Sequence, residues 1–283
     1  NWKVNEEKKV AAMIEAGYSP DFNGEAYKTV SGQNSNNSIR ATDEFMYAYL
    51  NDEPWHTKFR TTGENHETIP ARELMRKISD ATWSCADPGL QFDTTINKWH
   101  TCKSSGRINA SNPCSEFMFI DDSACNLASI NLMKFYDNET GSFDIEGFKH
   151  ACRIFILAED ILVDYASYPT AAIAKNSHLF RPLGLGYANL GSLLMVNGFP
   201  YDSDEGRSMC ASITAIMTAE AYRASSEIAA SVGAFSEYAK NRESMIEVIK
   251  MHRDAAYDIL ETPLTESLAK AARHGWDGAL SRE

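Results

Sequence analysis

The spacing of apolar residues changes along the chain, and this change limits the folds that the chain can adopt. From Phe143 onward apolar side chains recur every three or four positions, as in Ile154, Leu157 and Ile161, which is the spacing of one helix face. Between residues 89 and 132 that spacing vanishes, and short extended pieces such as GLQF and NLASINL alternate with turn residues. The sequence therefore predicts an α/β fold with a helix-rich C-terminal half.

Local start and stop signals predict three helices in the N-terminal part. Residues 6–16 have helical spacing and are followed by Gly17, a common helix stop. Thr42 is suited to cap a short helix. Pro70 stands where a first helical turn tolerates proline, and the helix that it begins should end at the Asp-Pro-Gly sequence of residues 87–89.

Composition and charge narrow the class of protein. With 43% apolar residues, no internal repeat and no long Pro, Gly or Ser linker, residues 1–283 are expected to form one domain. The net charge of -12 and the lack of a Lys/Arg run argue against polymeric DNA or RNA as a partner. No apolar stretch approaches roughly 18 residues, and the first residues lack the order of a signal peptide, so neither membrane insertion nor secretion is expected.

Cysteine usage predicts reduced thiols and a cytoplasmic location, because the cysteines are scattered rather than arranged as a disulfide framework. The sequence contains Cys85, Cys102, Cys114, Cys125, Cys152 and Cys210. No C-x-x-C pair is present, so we expect no metal ligands, even with His100 close to Cys102. Cys152 and Cys210 fall in helical stretches and are interpreted as packing residues.

The segment from Ser111 to Phe117, SNPCSEF, carries the most informative combination of side chains. Pro113 excludes a helix interior and favours extended geometry before it. We therefore expect a strand, in which Asn112, Cys114 and Glu116 project from the same face. An amide, a thiol and a carboxyl group would then meet at one place.

The carboxyl group of Glu116 favours one kind of cysteine chemistry over another. A nucleophilic cysteine needs its thiolate, and a carboxylate two positions away, such as Glu116, raises the pKa of a thiol. A thiyl radical forms from the neutral thiol of Cys114, and the carboxylate is then free to act as a general base on a substrate hydroxyl. Two alternatives stay open: a hydrolase or transferase with Cys114 as nucleophile, and an inactive remnant of an enzyme fold.

A second cysteine follows shortly. A turn near residues 121–122 would let Cys125 approach Cys114. Replacing a hydroxyl group by hydrogen consumes two electrons, which a dithiol supplies when it closes to a disulfide. Further along, Gly184, Gly186 and Gly191 do not have the spacing of a dinucleotide loop, so we interpret them as close-packing glycines.

The pattern N-P-C-S-E, followed by S-A-C-N-L-A-S-I-N-L, resembles the catalytic block of ribonucleotide reductase large subunits. Further stretches that fit the family are DFNGEAYKTVSGQNSNNSIRATDEFM, ATWSCADPGLQF and RPLGLGYANLGSLLM, so the resemblance covers nearly the whole chain. The N-P-C form and the close spacing to the second cysteine are more similar to the adenosylcobalamin-dependent class than to the di-iron or glycyl-radical classes.

The resemblance implies a role for each residue of the motif. Cys114 would be the thiyl radical that takes the ribose 3'-hydrogen, and Glu116 the base that removes the 3'-hydroxyl proton. Ser111 and Asn112 would bind the substrate ribose, and Cys125 would be one half of the redox-active dithiol. The implied cofactor is adenosylcobalamin, with no ligand to it identifiable in this chain.

The resemblance also implies a larger assembly. The family fold is a ten-stranded α/β barrel with the radical cysteine at the tip of a central loop. The family's upstream cysteine partner, specificity loop, phosphate-binding loop and distal cysteine pair have no counterpart here, so we expect an internal fragment. The implied partners are a ribonucleoside di- or triphosphate, a thioredoxin or glutaredoxin-type reductant and a second copy of the full-length protein.

Overall fold

The computed structural model describes residues 2–281, and these residues form two compact units. The first unit contains residues 2–98 together with Ser111–Glu116. The second contains Trp99–Ala110 and residues 117–281. The chain therefore leaves the second unit at Ala110, adds one short segment to the first unit and returns at Phe117. A single domain over residues 1–283 stays a prediction.

The first unit alternates short strands with helices. Its elements in chain order are α1 (Trp2–Glu15), α2 (Glu25–Lys28), β1 (Ser38–Ala41), α3 (Asp43–Asn51), β2 (Pro54–Lys58), β3 (Asn65–Pro70), α4 (Ala71–Cys85), β4 (Gly89–Phe92) and α5 (Asp93–Lys98). Strands β2 and β3 form an antiparallel pair, and β1 and β4 form a parallel pair.

The predicted helix signals of this unit are confirmed. The side chain of Thr42 accepts a hydrogen bond from the backbone N–H of Phe45 and caps α3, which satisfies a donor that the first helical turn leaves unpaired. Helix α4 begins directly after Pro70 and ends at Cys85, and the residue that follows, Ala86, is left-handed with a φ of 56°. Helix α5 was not predicted, because its six residues are too few to establish an apolar period.

A small core holds the first unit together. Phe45 is buried and packs edge to face on Trp55, with ring centroids 5.2 Å apart, a favoured aromatic geometry. Ala41, Ala48 and Ala71 are buried in the same cluster. This cluster joins α3, the start of α4 and the end of β1.

The second unit contains most of the helices. Its elements are β5 (Asn126–Asn131), a 3₁₀ helix (Leu132–Phe135), β6 (Tyr136–Asp137), β7 (Ser142–Phe143), α6 (Ile145–Tyr165), α7 (Ala171–Phe180), β8 (Leu183–Ala188), α8 (Leu190–Val196), α9 (Asp204–Val232), α10 (Tyr238–Tyr257) and α11 (Glu266–Leu280). Strands β5 and β8 are parallel, and β6 and β7 are antiparallel. The prediction of a helix-rich C-terminal half is confirmed.

Helix α6 buries a different face from the one that its apolar spacing suggested. Ile154, Leu157 and Ile161 are exposed. The buried face instead carries Phe148 and Cys152, which belong to the main core of the second unit. Helical spacing identified the helix correctly, but both faces of α6 are apolar and spacing alone does not choose between them.

The α/β class is confirmed, since helices accompany parallel strand pairs in both units. Within residues 2–281 the strands pair only two by two, and they do not close into a barrel. Among the helices of this described part, none is both long and apolar enough to cross a bilayer.

Candidate functional site

The segment that carries Cys114 is a turn, so the prediction of a strand was wrong. The backbone N–H of Ser115 donates to the carbonyl oxygen of Asn112 at 3.1 Å, which closes a four-residue turn with Pro113 and Cys114 at its centre. Proline fixes φ near the value that the second position of such a turn requires, and the same φ also suits extended chain. The sequence rule for Pro113 therefore fits either structure.

Two of the predicted site residues are exposed to solvent. Cys114 and Glu116 are exposed, whereas Ser111 and Asn112 are half-buried. Because the backbone does not alternate as a strand does, the reason given for a shared face no longer holds. The thiol now lies at the tip of a turn, and all four predicted residues belong to one short segment of the first unit.

A glutamine that sequence reasoning missed lies at the base of this turn. The side-chain amide of Gln91, on β4, donates to Ser111 Oγ at 2.6 Å and to Ser115 Oγ at 2.9 Å. Only 4% of Gln91 is exposed. The two serines stand on either side of Cys114, so Gln91 joins the two ends of the turn to the parallel strand pair.

The side chain of Gln91 is itself held by the ion pair of Arg40 and Asp93. The register of the parallel pair sets Arg40 of β1 opposite Gln91, and Arg40 Nη1 donates to Gln91 Oε1 at 3.1 Å. Arg40 Nε also donates to Asp93 Oδ1 at 2.8 Å, and Asp93 is itself buried. The ion pair therefore fixes the oxygen side of the Gln91 amide and leaves its NH₂ group for the serines.

Cys125 belongs to the second unit and is half-buried directly before β5. The predicted turn before it is confirmed by bends at residues 121–122, where Asp122 has a φ of 54°. The parallel register pairs Leu127 of β5 with Gly184 of β8. A Cβ atom added at Gly184 would lie 2.5 Å from both Cys125 Sγ and Leu127 Cδ2, so the glycine makes room for the thiol and for the leucine side chain. The interpretation as a close-packing glycine was wrong for Gly191, where no atom of the described residues outside its own helix lies within 4 Å of an added Cβ, but it is confirmed for Gly184.

Substituting this glycine should therefore disturb Cys125. We expect Gly184→Ala to lower the free energy of unfolding by about 1–3 kcal/mol, because overpacking forces neighbours to shift. Thermal or urea unfolding measures the change. The matched control is Gly186→Ala in the same strand, where the nearest atoms are 3.8 Å from the added Cβ. Equal effects of the two substitutions would show that the close contacts of Gly184 with Cys125 and Leu127 are not the cause.

The other cysteines have no part in this turn. Burial raises the pKa of the Cys102 thiol and raises that of Cys152 to about 12, so both thiols stay neutral at physiological pH. Cys152 is fully buried in the core, as expected of a packing residue. Among residues 2–281, no three His, Cys, Asp or Glu side chains are grouped as a metal site requires.

A sizeable cavity lies elsewhere, in the second unit. It measures about 860 Å³ and is lined by residues of α6, α7, α9 and α10, including Leu157, Ile161 and Arg181. Arg181 is paired with Asp160 and Asp164, each at 2.7 Å. Asp160 and Asp164 are thus neutralised by Arg181, and their charge does not identify a ligand for this cavity. None of the predicted catalytic residues lines it.

Comparison with known proteins gives a consistent result. A family model described as "Ribonucleotide reductase, barrel domain" matches residues 5–281. A protein of Rhodopirellula baltica named "Vitamin B12-dependent ribonucleotide reductase" is 55% identical over 280 residues, which is 98% of this chain and 27% of that protein. A protein of the same name from Bradyrhizobium diazoefficiens is 49% identical over 93% of this chain and 22% of its own length.

A more distant relative has a more specific name. A Mycobacterium tuberculosis protein called "Vitamin B12-dependent ribonucleoside-diphosphate reductase" is 31% identical over 73% of this chain and 30% of its own length. The chain thus spans between a fifth and a third of the length of these curated relatives.

Proposed function

This chain belongs to the ribonucleotide reductase barrel-domain family, and we propose on that premise that it is part of an enzyme that reduces ribonucleotides to 2'-deoxyribonucleotides for DNA synthesis. The observation that carries the proposal is the Cys114 turn. An exposed thiol stands at its tip, within the N-P-C-S-E sequence, and a buried glutamine ties the turn at both ends.

Four residues of the segment Ser111–Glu116 have a task in the proposed reaction. The thiyl radical of Cys114 takes the 3'-hydrogen atom of the ribose and returns a hydrogen atom at the end of the cycle. Glu116 accepts the 3'-hydroxyl proton as a general base. Ser111 and Asn112 bind the substrate ribose. The exposure of Cys114 and Glu116 supports these tasks, since both groups have to reach a substrate.

The reduction itself needs two electrons. The 2'-hydroxyl group leaves as water and a hydrogen replaces it, while two thiols lose their hydrogens and close to a disulfide. We assign one of these thiols to Cys125 and the other to a cysteine of the full-length protein. A dithiol protein of the thioredoxin or glutaredoxin type would then reduce the disulfide. The half-buried position of Cys125 beside Gly184 supports a thiol held in one place.

Adenosylcobalamin is the proposed cofactor, since the relatives are named as vitamin B12-dependent. When bound, it supplies the radical equivalent that converts a thiol into a thiyl radical. The described residues offer no cluster of metal-ligating side chains, so we assign no residue of this chain to holding the cobalt. The contribution of this chain is the positioned thiol and carboxylate.

The wider assembly is also part of the proposal. The two parallel pairs β1–β4 and β5–β8 would belong to a ten-stranded barrel, and the full-length protein would act as a cytoplasmic homodimer. A ribonucleoside diphosphate is the favoured substrate, because one relative is named for it, and a triphosphate is the second candidate.

The test is an assay of the protein at the full length of its relatives. Incubation with each ribonucleoside diphosphate or triphosphate, a dithiol reductant and adenosylcobalamin should yield the deoxynucleotide, and omission of the cobalamin should stop the reaction. Product is measured by chromatography. Absence of product under all these conditions, together with rapid alkylation of Cys114 at neutral pH, would favour a nucleophilic cysteine enzyme instead.

A further inference from the structure

We propose that Gln91 is a positioning residue, which aims the thiol of Cys114 by fixing both ends of the turn that carries it. The proposal rests on the proposed function, since it assigns a purpose to the geometry of that same site. Gln91 touches neither the substrate nor the thiol in this scheme. It acts through Ser111 and Ser115, with Arg40 and Asp93 behind it.

The first step is to count the hydrogen-bond donors of the Gln91 side chain and their acceptors. The Gln91 amide has two N–H donors, and the two closest acceptors are Ser111 Oγ at 2.6 Å and Ser115 Oγ at 2.9 Å. Ser111 Oγ donates in turn to the carbonyl oxygen of Asn112 at 2.8 Å. One buried side chain therefore holds Ser111 and Ser115, which lie on either side of Cys114.

The second step is the orientation of the amide. A glutamine amide can turn by half a rotation and exchange its oxygen and nitrogen. Here a guanidinium group, which only donates, stands against the Oε1 atom of Gln91. The pairing of Arg40 with Asp93 is partly buried, with 16% and 8% of the side chains exposed, so a flip would bring two sets of donors together in a dry place.

The third step is the shape of the turn. Ser115 has a φ of 66°, a left-handed conformation that costs a residue with a Cβ atom roughly 1 kcal/mol or more. The hydrogen bond from Gln91 compensates for this cost. Hydrogen-atom transfer needs the reacting atoms to be close and aligned, and a misplacement of about 1 Å can cost roughly a hundredfold in rate. We therefore expect the thiol to react faster when the turn that carries it is held at its base.

The test begins with Gln91→Met, which keeps the length of the side chain and removes both donors. In the full-length protein we expect kcat to fall about tenfold or more and KM to change by less than about threefold. In the 283-residue chain we expect the backbone amide of Ser115 to exchange with deuterium about tenfold faster, because this amide closes the turn.

Two further variants separate positioning from mere loss of stability. Phe45→Leu reduces the buried core of the same unit and should lower its melting temperature without a selective change at Ser115. Ser115→Ala keeps the backbone requirement but removes the hydroxyl acceptor. If Gln91 acts through Ser115, the double variant Gln91→Met with Ser115→Ala should lose much less than the product of the two single losses.

The outcomes are distinct. Fully multiplicative losses in the double variant, or an unchanged Ser115 exchange rate in Gln91→Met, would overturn the positioning role. A full-length protein that makes no deoxynucleotide would instead contradict the proposed function, and the exchange measurement in the 283-residue chain would still decide on the turn.

Discussion

Replacing Cys114 with serine is expected to abolish deoxynucleotide formation by the full-length protein. A serine side chain has the same shape as a cysteine side chain, but its O–H bond is too strong to yield a radical where a thiol does. Because a hydrogen-abstracting group has no substitute in the proposed reaction, we expect a loss of at least about a thousandfold in kcat, with KM largely kept. Chromatographic detection of the product measures it.

Cys85→Ser is the matched control for this substitution. The Cys85 thiol is half-buried at the end of α4 and contacts the carbonyl oxygens of Ala81 and Asp87, which a serine hydroxyl can also contact. Normal turnover is expected in this variant. Normal turnover in Cys114→Ser would refute the radical assignment, and the Cys114 turn would then need another explanation.

The second large effect concerns Glu159 on α6. Only 2% of this residue is exposed, and neither carboxyl oxygen makes a hydrogen bond of ordinary geometry within the described residues. Burial raises the pKa of Glu159 to about 7, with a small opposing effect of the backbone of Ala128. The carboxyl group lies in the second unit, where its own backbone oxygen accepts a hydrogen bond from Asn126, the residue after Cys125.

The raised pKa sets the direction of the pH effect. In the unfolded chain Glu159 loses its proton near the ordinary value of 4.5, and in the folded chain it keeps the proton up to a pH of about 7. Between these values the folded state binds more protons than the unfolded state, so the free energy of unfolding falls as the pH rises. The loss reaches at most about 3 kcal/mol and is complete above the folded pKa.

Glu159→Gln should remove this dependence, because the amide does not titrate. At pH 8 we expect the variant to be more stable than the original chain by about 2–3 kcal/mol, and at pH 5 the two should differ little. Urea unfolding followed by far-UV circular dichroism measures the difference. The control is Glu139→Gln, at an exposed turn, which should leave the dependence of the free energy of unfolding on pH unchanged. A slope that persists in Glu159→Gln would mean that another group titrates.

The elements that sequence predicted well are those with local signals. Thr42 and Pro70 mark helix starts through contacts within one turn of chain, and those contacts are present in the sequence itself. The prediction of a strand around Pro113 was wrong because the deciding contact is not local. A turn and a strand share the same proline φ, and what selects the turn is the Gln91 side chain, which is 20 positions away from Ser111.

The positioning network could not be predicted for the same physical reason. Gln91 looked like one member of a short extended piece, GLQF. The role proposed for Gln91 depends on two contacts that are distant in sequence. The parallel register with β1 sets Arg40 opposite Gln91, and the chain returns at Ser111 to accept its hydrogen bond. The only local signal of a shared polar face was the period-two alternation of Ser38 and Arg40 in β1 and of Gln91 in β4 and Asp93 directly after it.

The discontinuity of the first unit has a consequence for anyone who dissects this protein genetically. The six residues Ser111–Glu116 belong to that unit, yet the chain on both sides of them belongs to the other. A truncation after Lys98 would keep the glutamine and the arginine but delete the serines that they hold. A truncation after Glu116 would keep the sulfur and its support, but it would also carry Trp99–Ala110, which belongs to the second unit, without the rest of that unit. The site is therefore better studied by substitution than by deletion.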